Sequence, residues 1–336
     1  MSAGSERDDG IVAREARPDD LGAILGLLRD SLGREDDVRY EALYRWKHEE
    51  NPFGRSPAWV AVDGARLAGV RVLLRWEFDE GGATRRAVRA VDTATHPDYQ
   101  GRGLFTRLTM HALDALRAEG VEFVFNTPND QSRPGYLKMG WHVVGRLPAA
   151  ARPTGIAGVR RMAAARVAAD RWSLTTTVGE PARDVLDDTA AVEDLLASQP
   201  ASSVLATRRS VEFLRWRYGT PLLGYRALVA PSGVADGLLI FRLRRRGPAR
   251  EAVLADVLVA GADARARRAL VRSLIRSVDA DYVMAISSRR EAIGQRLVPM
   301  PSGAGPVLTW RPLATARAQP PAIADWAVSL GDIELF

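Results

Sequence analysis

A short loop with two glycines has the composition of an anion-binding site. Gln100-Gly101-Arg102-Gly103 stands directly before an amphipathic segment that begins near Leu104. The first backbone N–H groups of a helix have no partners within the helix and carry a partial positive charge. Glycines before such a helix let the backbone approach a phosphate closely, and Arg102 adds a permanent cation. The loop therefore predicts a phosphate site, although a glycine loop alone also fits a structural turn.

The segments on either side of this loop predict a parallel crossover unit. An apolar strand ends near Thr95, a helix covers about 104–119, and a second apolar strand covers 121–125. The order strand, loop, helix, strand is that of a βαβ unit, which places the loop at the end of its first strand. The predicted buried stripe of the helix consists of Leu104, Leu108, Ala112 and Leu116.

Two motifs in this region resemble those of the GNAT superfamily of N-acetyltransferases. The pyrophosphate loop of that family has the pattern Gln/Arg-x-x-Gly-x-Gly/Ala, to which Gln100 and Gly103 conform. Phe105 departs from it, standing where the family has Gly or Ala, and leaves open a longer acyl group than acetyl. The family's downstream signature, Asn-x-x-Ala-x-x-x-Tyr followed by Gly-Phe, is resembled at matching spacing by Asn129, Ser132, Tyr136 and Gly140-Trp141. The resemblance covers about residues 10–150.

The resemblance implies how acetyl-CoA, or another acyl-CoA, is held and used. In the family the pantetheine arm pairs with the central strand like an extra strand, and a backbone donor there stabilises the tetrahedral oxyanion. Tyr136 stands at the position of the general acid that protonates the departing thiolate. The implied cofactor contacts are Thr93, Ala94, Thr95, Gln100, Gly101, Arg102, Gly103, Leu104, Phe105 and Asn129.

Several residues are candidates for the general base. Asp92 lies on the central strand, three residues before the point where we expect that strand to separate from its neighbour, and suits either a catalytic carboxylate or a buried ion pair. His96 titrates near neutrality but stands at a loop edge, which favours an anchoring role. His48 and Glu49 are further candidates. In one multidomain GNAT group, the enhanced-intracellular-survival acetyltransferases, the C-terminal carboxylate, here that of Phe336, is the base.

Composition limits the other classes of function. The chain of 336 residues has no cysteine, which excludes disulfides, thiolate metal sites and a covalent cysteine mechanism. Its four histidines lack ligand spacing, so we expect no metal. No long apolar run or signal-peptide pattern is present, which predicts a cytoplasmic protein without a membrane partner. The net charge is +6, and nearly all of the positive charge is arginine. No lysine-rich block is present, so nucleic-acid binding is not expected.

The length and the apolar fraction of 46% suit two domains. We expect the α/β class, with two tandem GNAT-like domains that are each a twisted mixed sheet flanked by helices. The predicted divisions are a disordered leader over 1–12, an acyl-CoA-binding GNAT domain over 13–150, a linker and bridging helix over 151–172, a degenerate GNAT-like domain over 173–313 and a C-terminal tail over 314–336.

The second half repeats patterns of the first. Residues 45–54 align with 215–224, and Asp92 has a counterpart in Asp256. At the position of the glycine loop, residues 260–265 read Ala-Gly-Ala-Asp-Ala-Arg, with one glycine and an acid facing the expected phosphate. The counterparts of Asn129 and Tyr136 are missing as well. We therefore predict one acyl-CoA per chain, with the second half serving as a substrate wall, a scaffold or a dimer surface.

Together these features predict an acyl-CoA-dependent N-acyltransferase. It would move an acetyl or other short acyl group to a primary amine of a small molecule, such as an amino sugar or a pathway intermediate. A protein or peptide amine is the alternative acceptor, and a homodimer is possible. A non-catalytic acyl-CoA-binding or assembly protein is the alternative class, which the presence of Tyr136 and Asn129 disfavours.

Overall fold

The computed structural model describes residues 10–32, 37–314 and 319–334, which divide into two compact units. The first unit comprises Met1–Trp76, Arg86–Val143 and Thr309–Pro320, and the second comprises Glu77–Arg85, Val144–Leu308 and Pro321–Phe336. The predicted α/β class with two mixed sheets flanked by helices is confirmed. Most of the predicted leader and the carboxylate of Phe336 lie outside the described residues.

The sheet of the first unit has the order β1-β2-β3-β4-β5-β15-β6. Its ladders are antiparallel between β1 and β2, β2 and β3, and β5 and β15, whereas β4 and β5 are parallel. A parallel pair needs a crossover, and α3 supplies it. The strands are β1 (Ile11–Glu15), β2 (Ala58–Asp63), β3 (Arg66–Glu80), β4 (Ala83–Thr95), β5 (Phe123–Asn126), β6 (His142–Arg146) and β15 (Val307–Pro312).

The helices of the first unit are α1 (Leu21–Leu32), α2 (Arg39–His48), α3 (Leu104–Ala118) and α4 (Arg133–Lys138). Short 3-10 turns cover Pro18–Asp20 and Pro97–Tyr99. The predicted stripe on α3 is confirmed, since all four of its side chains are buried in the core between α3 and the sheet. After α3, Gly120 turns the chain at φ 80°. Its amide and that of Val121 donate back to the carbonyls of Arg117 and Leu116.

The sheet of the second unit has the order β14-β7-β13-β12-β11-β10-β8. Its strands are β7 (Ala149–Pro153), β8 (Glu180–Pro181), β10 (Arg226–Ala230), β11 (Gly233–Arg246), β12 (Ala249–Val259), β13 (Tyr282–Ile286) and β14 (Val298–Pro299). Two short strands, β9 (Leu205–Thr207) and β16 (Trp326–Ala327), pair with each other, and β9 also pairs with the end of β3. Here too one parallel ladder, β12 with β13, is bridged by a helix, which is α9.

The helices of the second unit are α5 (Gly155–Ala164), α6 (Ala182–Leu186), α7 (Thr189–Ala197), α8 (Val211–Gly219), α9 (Ala264–Ser277), α10 (Arg289–Gly294) and α11 (Leu330–Ile333). Further 3-10 turns cover Ala260–Ala262 and Ile323–Asp325. A core cluster between α9 and the sheet repeats the arrangement around α3. The two units thus share strand order, crossover and core position.

The observed division differs from the predicted boundaries. β15, predicted in the second domain, pairs with β5 of the first sheet, from Thr309 opposite Asn126 to Pro312 opposite Phe123. β7, predicted to lie in the first domain and the linker, pairs instead with β13 of the second sheet. Ile11 and Val12, assigned to the leader, belong to β1. The pairing of strands that are far apart in sequence leaves no trace in local composition. Domain boundaries drawn along the chain therefore cannot anticipate such pairing.

The described ranges contain neither a candidate membrane-spanning helix nor a candidate metal-binding cluster. Within them, no helix is both long enough and apolar enough to span a membrane. The same residues contain no group of three or more His, Asp or Glu side chains that could hold a metal ion.

Candidate functional site

The glycine loop leads into α3 through two residues in the left-handed region. Gly101 has φ 75° and Gly103, the N-cap of α3, has φ 78°. A side chain is strained at such angles, so glycine is required at both positions. An added Cβ would meet no atom within 4 Å at either glycine, so both face open space. The first amides of α3 therefore border a region that an anion can enter.

A cavity of about 340 Å³ lies against this loop and the end of β4. It collects most of the predicted cofactor contacts. Those that line it are Thr93, Ala94, Thr95, Gln100, Gly101, Gly103, Leu104 and Phe105. Backbone of the central strand and the amide-rich end of α3 thus face the same space.

Two predicted contacts, Arg102 and Asn129, are not among the residues that line this cavity. The Arg102 guanidinium donates to the Asp98 carbonyl at 3.0 Å and lies 4.9 Å from the centre of the Tyr99 ring. The Asn129 Oδ1 accepts from the amide and the hydroxyl of Ser132, each at 2.9 Å. In this conformation Arg102 braces the loop, and Asn129 organises the turn that precedes α4.

The parallel strands β4 and β5 separate beside this cavity. Their pairing covers only Ala87 to Arg89 of β4, the last opposite Phe125, while β4 continues to Thr95. Pro128 follows closely after β5 and cannot donate to a ladder. We expected β4 and β5 to separate three residues after Asp92, and this was wrong. They separate before it, because Asp92 lies three residues beyond the last residue of β4 that pairs with β5. It therefore sits in the open part of the fork.

Tyr136 is buried on α4, under the ring of Phe105. The two rings meet edge to face, with centroids 5.4 Å apart. The Tyr136 Oη accepts a hydrogen bond from Arg71 Nη1 at 2.8 Å, and the Arg71 guanidinium also stacks against both rings. A guanidinium can only donate, so the hydroxyl proton of Tyr136 remains available to another acceptor.

Arg71 was not identified from the sequence. Its side chain is fully buried on β3, and its Nε and Nη2 have no hydrogen-bond partner in the described part of the chain. The signal that could have found it is a lone ionisable residue inside the apolar run 67–74. Buried cations are uncommon unless another group holds them, so such a residue deserves the same scrutiny as a motif.

Asp92 is the centre of a buried polar cluster with α2. Its carboxylate contacts Lys47 Nζ and lies 2.8 Å from His48 Nε2, and all three side chains are almost fully buried. The other His48 nitrogen, Nδ1, lies 2.9 Å from Ser56 Oγ. Burial lowers the pKa of His48 to about 4, against the opposing effect of its bond to Asp92, so the imidazole is neutral near pH 7. A neutral ring donates from one nitrogen only, which assigns the Nε2 proton to the carboxylate.

The backbone at Asp92 carries strain. Its φ of 32° lies in a region that residues with a side chain rarely adopt. The ion pair that the sequence left as one alternative is present, at a strained position within the central strand.

The remaining candidates for the base have other contacts. The Nδ1 of His96 accepts from the Asp98 amide and anchors the loop, as the sequence favoured. Glu49 is paired with Arg45 at 3.0 Å and with Arg55 at 3.3 Å.

The second unit repeats this geometry with different residues. Tyr218 on α8 donates to the Asp256 carboxylate at 3.2 Å, as His48 does to Asp92. At the start of α9 the Asp263 carboxylate accepts from the Arg265 amide at 2.7 Å, so a fixed acid stands where the first unit offers amides. Arg217 on α8 donates to the carbonyls of Gly331 and Glu334, both at 2.7 Å. The C-terminal segment thus packs against α8, the helix that corresponds to α2 of the first unit.

Comparison with known proteins gives a family match for part of the chain and a similar fold for most of it. Residues 12–144 match the acetyltransferase (GNAT) domain family. No curated protein sequence matches the chain. Among solved structures, a GCN5-related N-acetyltransferase from Anabaena variabilis is similar over 90% of this chain and 73% of its own, with TM-score 0.63 and 14% identity.

Two further structures show the same similarity. A GCN5-related N-acetyltransferase from Kribbella flavida has TM-score 0.60 and 19% identity, covering 90% of this chain and 72% of its own. Eis1 from Mycobacterium abscessus has TM-score 0.56 and 16% identity, covering 90% and 73%. At these identities the likeness concerns the fold, and it extends beyond the first unit.

Proposed function

We propose that the chain, whose residues 12–144 match the acetyltransferase (GNAT) domain family, transfers an acetyl or other short acyl group from acyl-CoA to a primary amine. The single observation that carries the proposal is the shared cavity of the α3 N-terminus and the unpaired end of β4. A pyrophosphate would lie on the amides after Gly103. The pantetheine arm would then follow the free edge of β4 past Thr93, Ala94 and Thr95.

The fork between β4 and β5 supports the position of the thioester. Beyond Arg89 the edge of β4 is not paired with β5, so its backbone groups can bind an extended amide-rich arm as a strand would. The same edge offers backbone donors near Thr93 to Thr95 for the oxyanion of the tetrahedral intermediate. Phe105, at the position where the family has Gly or Ala, borders this cavity and would limit or shape the acyl group.

Tyr136 is the proposed general acid. When the amine attacks the thioester carbon, the C–S bond of the intermediate breaks and the sulfur leaves as a thiolate. The Tyr136 hydroxyl would give that sulfur its proton, while Arg71 keeps the hydroxyl oxygen in place and balances negative charge on it. Burial of the ring under Phe105 limits the directions in which the O–H can point.

Asp92 is the proposed base, with Lys47 and His48 as its positioning residues. It would take the proton of the attacking amine directly or through water. The Lys47 ammonium favours the charged carboxylate, so Asp92 is suited to amines that give up a proton easily. An α-amino-like amine of pKa about 7.7–8.0 meets this condition better than a lysine-like amine of about 10.4. On this ground we propose acceptors of low pKa in preference to lysine side chains, with a small molecule such as an amino sugar as the class to test first.

The experiment that tests cofactor binding is thermal unfolding with acetyl-CoA, CoA and longer acyl-CoAs. A ligand that binds only the folded protein stabilises it by about 2.7 kcal/mol at a hundredfold excess over its dissociation constant. We expect this stabilisation, seen as a higher unfolding temperature, in the wild type. It should be lost in Gly103→Glu, which places a carboxylate and a strained side chain at the N-terminus of α3. Acyl transfer is then measured by incubating acetyl-CoA with a panel of small amines and monitoring the release of free thiol.

Gly82→Glu is the matched control. Gly82 has φ 81°, close to the 78° of Gly103, and an added Cβ there also meets no atom within 4 Å. It lies in the turn between β3 and β4, outside the residues that line the cavity, so it reproduces the backbone strain alone. Equal loss of the ligand shift in both variants, or no shift with any CoA species in the wild type, would exclude the proposed cofactor site. Binding without transfer to any amine would support an acyl-CoA-binding protein instead.

A further inference from the structure

Arg71 is a fully buried cation that uses only part of its hydrogen-bonding capacity. Its Nη1 donates to the Tyr136 hydroxyl, while its Nε and Nη2 are buried without a hydrogen-bond partner among the described residues. The rings of Phe105 and Tyr136 lie against the guanidinium, but its N–H groups point outward in its own plane. Two donors of a permanently charged group are therefore left without an acceptor.

These two nitrogens form one edge of the guanidinium, the Nε/Nη2 edge. Their N–H groups point in the same direction, and the pair matches the two oxygens of a carboxylate. The third nitrogen, Nη1, is the one that binds Tyr136. What remains unused on Arg71 is thus a bidentate binding edge for a carboxylate.

Two other arginines are fully buried, and both have oxygen acceptors at this edge. Arg242 holds the Glu334 carboxylate, with Nε 3.2 Å from Oε2 and Nη2 2.8 Å from Oε1. Arg217 donates from Nε to the Gly331 carbonyl and from Nη2 to the Glu334 carbonyl, both at 2.7 Å. Burying a cation is costly unless acceptors hold it, and at these two positions the fold supplies them. At Arg71 a bound group would have to supply them.

Arg71 lies next to the wall of the proposed cofactor cavity. The ring of Phe105, which lines the cavity, is centred 5.4 Å from the guanidinium carbon. Thr93, another lining residue, donates through its hydroxyl to the carbonyl of Val70, the residue before Arg71, at 3.1 Å. Tyr136, the proposed proton donor to the sulfur, is bonded to Arg71 itself. The Nε/Nη2 edge therefore belongs to the thioester end of the site, away from the pyrophosphate loop.

We propose that Arg71 binds a carboxylate at the far end of the acyl group, so that the preferred donor is a short dicarboxylic acyl-CoA such as malonyl-CoA or succinyl-CoA. This inference rests on the proposed acyltransferase function and deepens it. An anionic acyl group neutralises the buried cation and fills both positions of its edge. An acetyl or butyryl group leaves the edge without an acceptor, and a site built to bind a polar group discriminates strongly against an analogue that lacks it.

The bonds made and broken are those of the proposed function. The amine nitrogen bonds to the thioester carbon, the C–S bond breaks, and the sulfur takes its proton from Tyr136. The distal carboxylate is not consumed. It stays on Arg71 during transfer and leaves in the product, which is an amide that ends in a carboxylate.

The test compares the dissociation constants of malonyl-, succinyl-, butyryl- and acetyl-CoA for the full chain, measured by thermal unfolding at stepped ligand concentrations. Butyryl-CoA has the same number of acyl carbons as succinyl-CoA but no second carboxylate. Binding is the readout because it requires no acceptor. We expect the tighter of the two dicarboxylic ligands to bind at least about tenfold more tightly than butyryl-CoA.

Arg71→Met should reverse this preference, because the carboxylate then meets a buried apolar side chain. Arg71→Lys keeps the charge but not the two-donor edge, so an intermediate preference should remain. Arg75→Met is the matched control, four positions further along β3. Arg75 already donates to the Arg55 carbonyl and to Glu119, and its loss should leave the ratio of the dissociation constants unchanged.

Two results would overturn this inference alone. One is equal binding of the dicarboxylic ligands and butyryl-CoA by the wild type. The other is a preference that Arg71→Met retains, which would place the carboxylate on another group. In either case, binding of CoA and acetyl-CoA that is lost in Gly103→Glu would leave the acyl-CoA site in place. No binding of any CoA species would reject the proposed function, and this inference with it.

Discussion

The Tyr136 hydroxyl accepts a hydrogen bond of 2.8 Å from Arg71 Nη1, deep beneath the ring of Phe105. Two residues 65 positions apart, one from a signature motif and one from an otherwise apolar strand, thus form a single buried unit. The pair links the proposed acid to a fixed positive charge. Its consequences for catalysis and for stability can be separated by mutation.

Tyr136→Phe removes the proposed acid and retains the ring packing. We expect turnover to fall by about 10²–10⁴-fold, the usual contribution of a general acid, with little change in acetyl-CoA affinity. Steady-state kinetics with a small amine and thermal-shift titration of acetyl-CoA measure the two effects. Tyr282→Phe, which deletes another buried tyrosine hydroxyl bonded to Glu251, is the control and should leave turnover unchanged. Unchanged turnover in Tyr136→Phe would remove the acid role.

Arg71→Met separates catalysis from stability at the same pair. Its Nε and Nη2 are buried without partners, so an apolar side chain of similar length should keep the free energy of unfolding within about 1 kcal/mol or raise it. Turnover should fall about tenfold, and Arg71→Met should add little to Tyr136→Phe, because both act through one hydroxyl. Denaturant unfolding and a double-mutant cycle measure this. A stability loss of several kcal/mol would show that Arg71 is structural, and additive effects on turnover would separate it from Tyr136.

The sequence predicted the first unit better than the second, for physical reasons that particular residues illustrate. Local signals were sufficient for the stripe on α3 and the left-handed glycines of the loop, because helical periodicity and backbone freedom act within a few residues. The partners of Asp92 could not be predicted from such local patterns. Lys47 and His48 come from α2, more than forty positions away, and only the folded sheet brings them to β4.

The domain boundaries were predicted less well, because two strands pair outside the part of the chain to which the sequence assigned them. β15 completes the first sheet from the far end of the chain, and β7 joins the second sheet, because each fills an open edge that exists only after folding. The cofactor contacts expected of Arg102 and Asn129 remain predictions. Their positions in the motifs were recognised, yet their side chains bond to neighbouring backbone and polar groups within the loop and the turn.

His48 makes the stability of the protein depend on pH. Its pKa is lowered to about 4 in the folded protein by burial, against about 6.5 when unfolded. The unfolded state therefore binds more protons between these values, so His48 contributes full stability above about pH 6.5 and loses it as the pH falls towards 4. The loss is up to about 3 kcal/mol across this window. Chemical denaturation at stepped pH should show it.

His48→Gln is the comparison for that pH series. It keeps a polar side chain near Asp92 and Ser56 but cannot titrate, so the part of the pH dependence due to His48 should disappear while carboxylates continue to titrate at lower pH. His142→Gln replaces an exposed histidine of β6 and should leave the wild-type profile intact. An identical slope in wild type and His48→Gln would show that the imidazole is not held neutral by burial.

Glu334 holds the C-terminal segment in the second unit through buried charges. Its carboxylate bonds Arg242 Nη2 at 2.8 Å and also contacts Arg244, and both partners are mostly buried. These arginines outweigh burial and lower the pKa of Glu334. Glu334→Gln removes one side of a buried ion pair, so we expect a loss of about 3–5 kcal/mol in the free energy of unfolding. Glu77→Gln, which breaks the more exposed pair with Arg208, should cost at most about 1 kcal/mol. Denaturant midpoints of the two variants decide this, and equal small losses would mean that the segment is held by its backbone contacts with Arg217 rather than by charge.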